Sequence, residues 1–129
     1  MWRAIVYVCF YSGYLVASGV DAQGEDLKIQ KNVPYGKHPR QVLDFYPAAS
    51  ESPTPVVFYI HGGGWRGGDK KTNPDAYLKQ GISVVAINYR YVQNAKDDGT
   101  STPVKAPLSD AARALQFVRS KASDWNLDK

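Results

Sequence analysis

Residues 56–69, VVFYIHGGGWRGGD, constrain this chain more than any other stretch. Val56, Val57, Phe58, Tyr59 and Ile60 run without a polar break. Such a run predicts a strand buried on both faces, as in the interior of a parallel sheet. His61 ends it, and Gly62, Gly63, Gly64, Trp65, Arg66, Gly67 and Gly68 follow. Glycines at a strand's end let the backbone take positive φ and approach a ligand closely. Their N–H groups can then converge on one point and stabilise negative charge, either fixed on a ligand or developing on a reacting oxygen.

A rival reading uses the same glycines. Gly62-x-Gly64-x-x-Gly67 spells the dinucleotide-binding pattern, which requires a helix directly after the glycines and an acid about 20 positions on. Here Asp69, Lys70, Lys71, Thr72, Asn73 and Pro74 intervene, and the next apolar run ends at Asn88. The spacing from Gly63 to Gly68 fits a phosphate loop, but Asp69 stands where lysine is needed. A dinucleotide-binding protein is therefore the minor reading.

The N-terminus reads as a targeting segment. Arg3 is a short basic region, and an apolar run from Ala4 to Ala17 follows, interrupted by Ser12 and Gly13. Val20-Asp21-Ala22 suits cleavage before Gln23. The expectation is a signal peptide over residues 1–22 and a mature domain over 23–129, secreted or periplasmic. The run is too short for an ordinary spanning helix, so no membrane contact is expected after cleavage. Cys9, the one cysteine, lies inside the leader. A mature chain without cysteine excludes disulfides, thiol catalysis and cysteine-based metal sites. The net charge of +4 comes from scattered basic residues, with only Lys70 and Lys71 adjacent, which argues against a nucleic-acid partner. With 43% hydrophobic and 22% charged residues, 129 in all, one globular domain is expected.

The rest of the chain supplies the frame. Residues 23–30 read as a polar, mobile terminus. Residues 33–36 and 41–47 read as two short strands forming an edge hairpin, and 48–55 as a Ser- and Pro-rich linker. Asn73-Pro74-Asp75 starts a short helix over 75–80 that Gly81 stops. Residues 82–87 form a second buried strand, and 91–106 a long polar loop containing Asp97 and Asp98. Pro107 opens a helix over 107–122 whose predicted apolar stripe is Leu108, Ala111, Leu115, Val118 and Ala122. Alternating strands and helices indicate parallel α/β architecture with right-handed crossovers.

His61-Gly62-Gly63-Gly64-Trp65 after a buried strand resembles the HGGG oxyanion-hole motif of lipases and esterases with the α/β-hydrolase fold. The tail Arg66-Gly67-Gly68-Asp69-Lys70 looks like the longer HGGGW-x-x-G-D-K form of bacterial secreted esterases. The phrases around Leu43-Asp44-Phe45-Tyr46-Pro47, Val84-Val85-Ala86-Ile87-Asn88-Tyr89-Arg90 and Asp110-Ala111-Ala112-Arg113-Ala114-Leu115 are similar to that family's strands and helix. The resemblance covers most of residues 33–128. It implies the N-terminal half of an α/β-hydrolase fold: a mostly parallel sheet with an N-terminal antiparallel hairpin and helices on both faces. It also implies a serine hydrolase that acts on small-molecule carboxylic esters through an acyl-enzyme, with no cofactor.

By the same resemblance Gly63 and Gly64 donate to the oxyanion, with Gly62 and Trp65 as further candidates, while His61 and Asp110 support the site structurally. The family's nucleophile sits on a G-x-S-x-G elbow, followed in the chain by an acid and a histidine. Gly81-Ile82-Ser83-Val84-Val85 comes nearest, but it ends in valine and places Ser83 early in a strand. The elbow is expected beyond Asp128, so the triad lies outside this sequence and the 129-residue chain alone is expected to be inactive. His38 sits in a Pro-flanked turn, and two isolated histidines do not make a metal site. The reading from another class is a non-catalytic secreted binding or scaffold module that keeps this half-fold.

Overall fold

The computed structural model describes residues 28–97, 102 and 104–128. The expected leader, its cleavage site and Asp98 lie outside the described residues. The elements are β1 (Gln30–Pro34), β2 (Val42–Tyr46), β3 (Val56–Ile60), α1 (Asp75–Leu78), β4 (Ser83–Ile87), α2 (Val92–Asp97) and α3 (Lys105–Ser120). Among the described residues they form one sheet in the order β1-β2-β4-β3. β1 and β2 are antiparallel, β2 pairs antiparallel with β4 from Leu43↔Ile87 to Tyr46↔Val84, and β3 runs parallel to β4 from Val56↔Ser83 to Ile60↔Ile87. The sheet of the described residues is thus mixed, and the parallel step is the β3–α1–β4 crossover.

Strand side chains alternate between two layers. Leu43, Phe45, Val85 and Ile87 face one side and pack with Ala114, Val118 and Trp125 from α3 and the turn after it. Tyr46, Val84 and Ala86 face the other side, where Leu78 of α1 covers them. Helices therefore cover both faces, as an α/β-hydrolase requires. The Trp125 ring stacks on Phe45 with centroids 4.3 Å apart and planes 7° from parallel, closing the larger core.

The structure departs from the sequence reading in several places. β3 is only half-buried along its length, and Ile60 is 41% exposed. An unbroken apolar run does not show how many neighbours a strand has, and here β3 is the edge strand of the described sheet. β1 begins at Gln30, earlier than expected, because Lys31 and the Asn32 N–H both reach the Asp44 carboxylate. β2 is an interior strand rather than an edge, and its polar Asp44 is buried with ionic partners. Residues 91–106 contain α2, and α3 begins at Lys105, ahead of Pro107.

The stripe on α3 is also different. Ala106, Pro107, Asp110, Ala114 and Val118 are buried, whereas Leu108 is 53% and Leu115 41% exposed. Asp110 instead turns inward to Arg90 and Gln41, whose hydrogen bonds to the buried carboxylate fix that face of the helix against the sheet. Beyond α3, the Thr54 N–H donates to the Asn126 carbonyl and the Asp128 N–H to the Thr54 carbonyl, each at 2.9 Å. This forms a parallel bridge between Thr54 and Leu127 beside the start of β3.

Candidate active site

β3 and β4 run parallel and end in register at Ile60 and Ile87. The glycine loop after β3 and the segment Asn88-Tyr89-Arg90-Tyr91 after β4 therefore emerge side by side at the carboxyl ends of the strands. Open α/β sheets bind their ligands at that edge.

The loop itself is a tight turn. The Arg66 N–H donates to the Gly63 carbonyl at 3.0 Å, and the two central residues, Gly64 and Trp65, have φ of 59° and 64°. Two positive central φ values define a turn of the I′ kind. Trp65 accepts this conformation because its ring packs edge-on against Tyr89 at 5.3 Å and its carbonyl accepts the Val92 N–H at 2.9 Å. Gly63 has φ of 119°, and a Cβ there would stand 2.2 Å from the Gly67 carbonyl oxygen. Among the described residues, the N–H groups of Gly63, Gly64 and Trp65 have no protein acceptor. Chemically the loop is a set of fixed backbone donors.

His61 supports the loop from beneath. It is 5% exposed, and its Nδ1 donates to the Gly62 carbonyl at 2.7 Å. Its ring stacks on Tyr89 at 4.4 Å, and the Tyr89 hydroxyl donates to the His61 carbonyl at 2.8 Å. Burial pushes the Tyr89 phenol up from its ordinary value. Gly68 closes over the ring, where a Cβ would stand 2.3 Å from Nδ1, at a φ of 103°. No helix follows the glycines directly, and α1 starts only at Asp75 with four residues. This removes the dinucleotide reading, which needs a helix N-terminus against the pyrophosphate.

The Asp69-Lys70 tail is tied down residue by residue. Asn88 Nδ2 donates to Asp69 Oδ2 at 3.0 Å, and the Lys70 N–H donates to Asn88 Oδ1 at 2.8 Å. Lys70 Nζ is buried against Asp44 Oδ1 at 2.9 Å. Asp44 also accepts from the Asn32 N–H at 2.9 Å and from Lys31 at 3.2 Å. The Asn88 amide holds the Asp69 carboxyl below its usual range. For Asp44, burial acts upward, but the Asn32 N–H, Lys70 and Lys31 outweigh it and the net displacement is downward. Carboxyls depressed in the folded state contribute stability that is complete above their unfolded value of about 3.9 and lost as pH falls through the lower folded value. Acid titration of the folded protein should therefore show stability constant around neutrality and falling below about pH 4, and Asp44→Asn should flatten that fall.

Asp110 is fully buried. The Arg90 N–H and Nε donate to its Oδ2 at 2.9 and 3.0 Å, Arg90 Nη2 to Oδ1 at 2.7 Å, and Gln41 Nε2 to Oδ1 at 2.7 Å. A carboxylate so occupied clamps α3 to the β4 exit and to the β1–β2 turn. Ser83 is buried within the sheet, where its Oγ lies 2.7 Å from Thr54 Oγ1 and accepts the Ala48 N–H. His38 Nδ1 accepts the Arg40 N–H at 3.1 Å and closes the β1–β2 turn.

The structure thus brings His61, Gly62, Gly63, Gly64 and Trp65 together at one strand end and holds Asp110 in the framework beside Arg90. Sequence reading missed Arg40, Asn88, Tyr89 and Tyr91 as parts of the loop's support. Asn88 and Tyr89 stand immediately after a buried strand, which is a signal for residues at the site edge. Nothing local marks Arg40.

Known proteins share this fold. The family model described as BD-FAE matches residues 43–129. Gut esterase 1 of Caenorhabditis briggsae is 35% identical over 89 residues, 64% of this chain and 16% of that protein. A probable isoprenylcysteine alpha-carbonyl methylesterase of Arabidopsis thaliana is 31% identical over 105 residues, 78% of this chain and 23% of its own length. A truncated carbohydrate esterase from gut microbiota superposes with a TM-score of 0.63 at 26% identity, over 79% of this chain and 36% of its own. Esterase B from Lactobacillus rhamnosis superposes with a TM-score of 0.63 at 25% identity, over 81% of this chain and 34% of its own. The chain spans about a fifth of the length of these curated relatives and about a third of these solved structures. Residues 43–129 carry β2, β3, β4, the three helices and the glycine loop, and the chain therefore belongs to the BD-FAE family of α/β-hydrolase esterases.

Proposed function

We propose that this chain supplies the oxyanion-hole arm of a serine hydrolase acting on small-molecule carboxylic esters. The observation that carries the reading is the turn after β3, which presents the N–H groups of Gly63 and Gly64 without protein acceptors at the carboxyl end of a parallel strand. Gly62 and Trp65 flank those donors. Preorganised N–H groups of this kind stabilise the charge that appears on the carbonyl oxygen as a nucleophile adds to an ester. His61, wedged under the loop, and Asp110, clamped to Arg90, are the residues that keep those donors in place. No serine among the described residues stands on an elbow beside a histidine, so the nucleophile, acid and base belong to the remainder of the complete enzyme. The Thr54–Leu127 bridge supports this, because it starts a parallel pairing on the free edge of β3. The leader-like residues 1–22 support export to the periplasm or the medium.

The test is a pair of substitutions at Gly64 in the complete enzyme. A Cβ at Gly64 meets open space, so only the φ of 59° opposes a side chain there. Valine is excluded from that region, whereas asparagine enters it readily. Gly64→Val should turn the donors away and lower kcat by ~10²–10³ with little change in KM. Gly64→Asn, of similar bulk, should lose far less. Equal losses in the two variants, or an unchanged kcat in Gly64→Val, would remove the oxyanion assignment.

A further inference from the structure

We propose that Arg40 is a positioning residue for the oxyanion loop, acting through Gly68; the proposal rests on the reading of that loop given above. Arg40 lies in the turn between β1 and β2, three residues before the segment matched by the family model. Its Nε donates to the Tyr89 carbonyl at 2.8 Å and its Nη2 to the Gly68 carbonyl at 3.3 Å. Its guanidinium carbon stands 3.7 Å from the centroid of the Tyr91 ring, and the Tyr91 hydroxyl donates to the same Gly68 carbonyl. One planar cation thus joins the end of the glycine loop to the exit of β4 and is itself held against an aromatic face.

The route from Arg40 to the donors is short. The Gly67-Gly68 peptide lies directly against Gly63, so that a Cβ on Gly63 would stand 2.2 Å from the Gly67 oxygen and 3.3 Å from the Gly68 nitrogen. On its other side Gly68 lies against the His61 ring. Gly68 therefore links the peptide that packs on the donor residue to the residue beneath the loop. Arg40 and Tyr91 hold Gly68 by its carbonyl, which belongs to the following Gly68-Asp69 peptide. Releasing that carbonyl frees Gly68, the hinge between the two peptides, so that the Gly67-Gly68 peptide and the Gly63 packed on it shift together. A displacement of the order of 1 Å at a transition-state contact is enough to cost ~10² in rate. The contacts of Arg40 are to the Tyr89 and Gly68 carbonyls and the Tyr91 ring, none of which is a proposed donor, so the expected effect is on donor placement rather than on substrate binding.

The experiment measures kcat, KM and the second-order rate of inactivation by a phosphonate ester for Arg40→Met, Arg40→Lys and Tyr91→Phe in the complete enzyme, beside Gly64→Val. Arg40→Met should lower kcat and the phosphonylation rate together by about tenfold or more, with KM within about threefold. Arg40→Lys should recover part of that loss, because lysine keeps the cation over Tyr91 but cannot reach both carbonyls with one fixed fork. Tyr91→Phe removes one hydroxyl and no packing, so it should shift kcat in the same direction without lowering the unfolding temperature. Its effect and that of Arg40→Met should be less than multiplicative, since both act on one carbonyl. If Gly64→Val lowers kcat while Arg40→Met and Tyr91→Phe leave it within threefold, the Arg40 proposal fails and the oxyanion reading stands. If Gly64→Val leaves kcat unchanged, both fail. A rise in KM at constant kcat in Arg40→Met would assign Arg40 to substrate binding and overturn the positioning role.

Discussion

Gly63→Ala is expected to lower kcat of the complete enzyme by ~10²–10³, with no compensation from a smaller KM. The reason is specific to this glycine. At a φ of 119° its backbone lies well outside the left-handed region near 57° that asparagine or alanine can enter at modest cost. A methyl group there would also stand 2.2 Å from the Gly67 oxygen and 2.7 Å from its carbonyl carbon. Both are backbone atoms of the peptide that leads into Gly68, which Arg40 and Tyr91 hold by its carbonyl and which packs on the His61 ring, so no flexible side chain can yield. The loop must open to admit the methyl, and the N–H groups of Gly63 and Gly64 move with it. Global stability should change little, because the loop contributes few buried apolar contacts. Steady-state kinetics on a short-chain ester, together with thermal unfolding, separates the two effects. A variant that unfolds like the parent and keeps kcat within threefold would refute the assignment of Gly63 as a donor.

Asp110→Ala is expected to cost about 3–5 kcal/mol of folding stability, read as a shift of the urea midpoint. The carboxylate is fully buried and accepts from the Arg90 backbone and guanidinium and from Gln41. Its removal leaves the guanidinium without that counter-charge and the Gln41 amide without its acceptor. Breaking one side of such a pair costs far more than replacing the pair as a whole. Domains have only ~5–15 kcal/mol in reserve, so the loss is a large fraction of the total. It also releases α3 from the β4 exit, the same segment that carries Asn88, Tyr89 and Tyr91 against the loop. Asp110→Asn keeps the volume and one acceptor oxygen and should cost less. A midpoint unchanged in Asp110→Ala would show that the helix is held by its apolar contacts alone.

Much of the candidate loop was legible because its information is local. An unbroken apolar run followed by glycines dictates a strand and a tight, positive-φ loop wherever the chain is placed, and β3, β4 and the turn at Gly63 lie where that pattern puts them. Gly81 stops α1 with a φ of 73° for the same local reason. What only the tertiary structure decided depends on partners distant in sequence. Periodicity offered α3 a stripe through Leu108 and Leu115, but the charge of Arg90, twenty residues earlier, turned the helix onto Asp110 instead. An apolar run does not name its partner, so the parallel pairing of β3 with β4 among the described residues is decided by the crossover through α1. Arg40 is one basic residue among many until the β1–β2 turn carries it to the Gly68 carbonyl, 28 positions away, where hydrogen-bond geometry rather than residue type gives it a role.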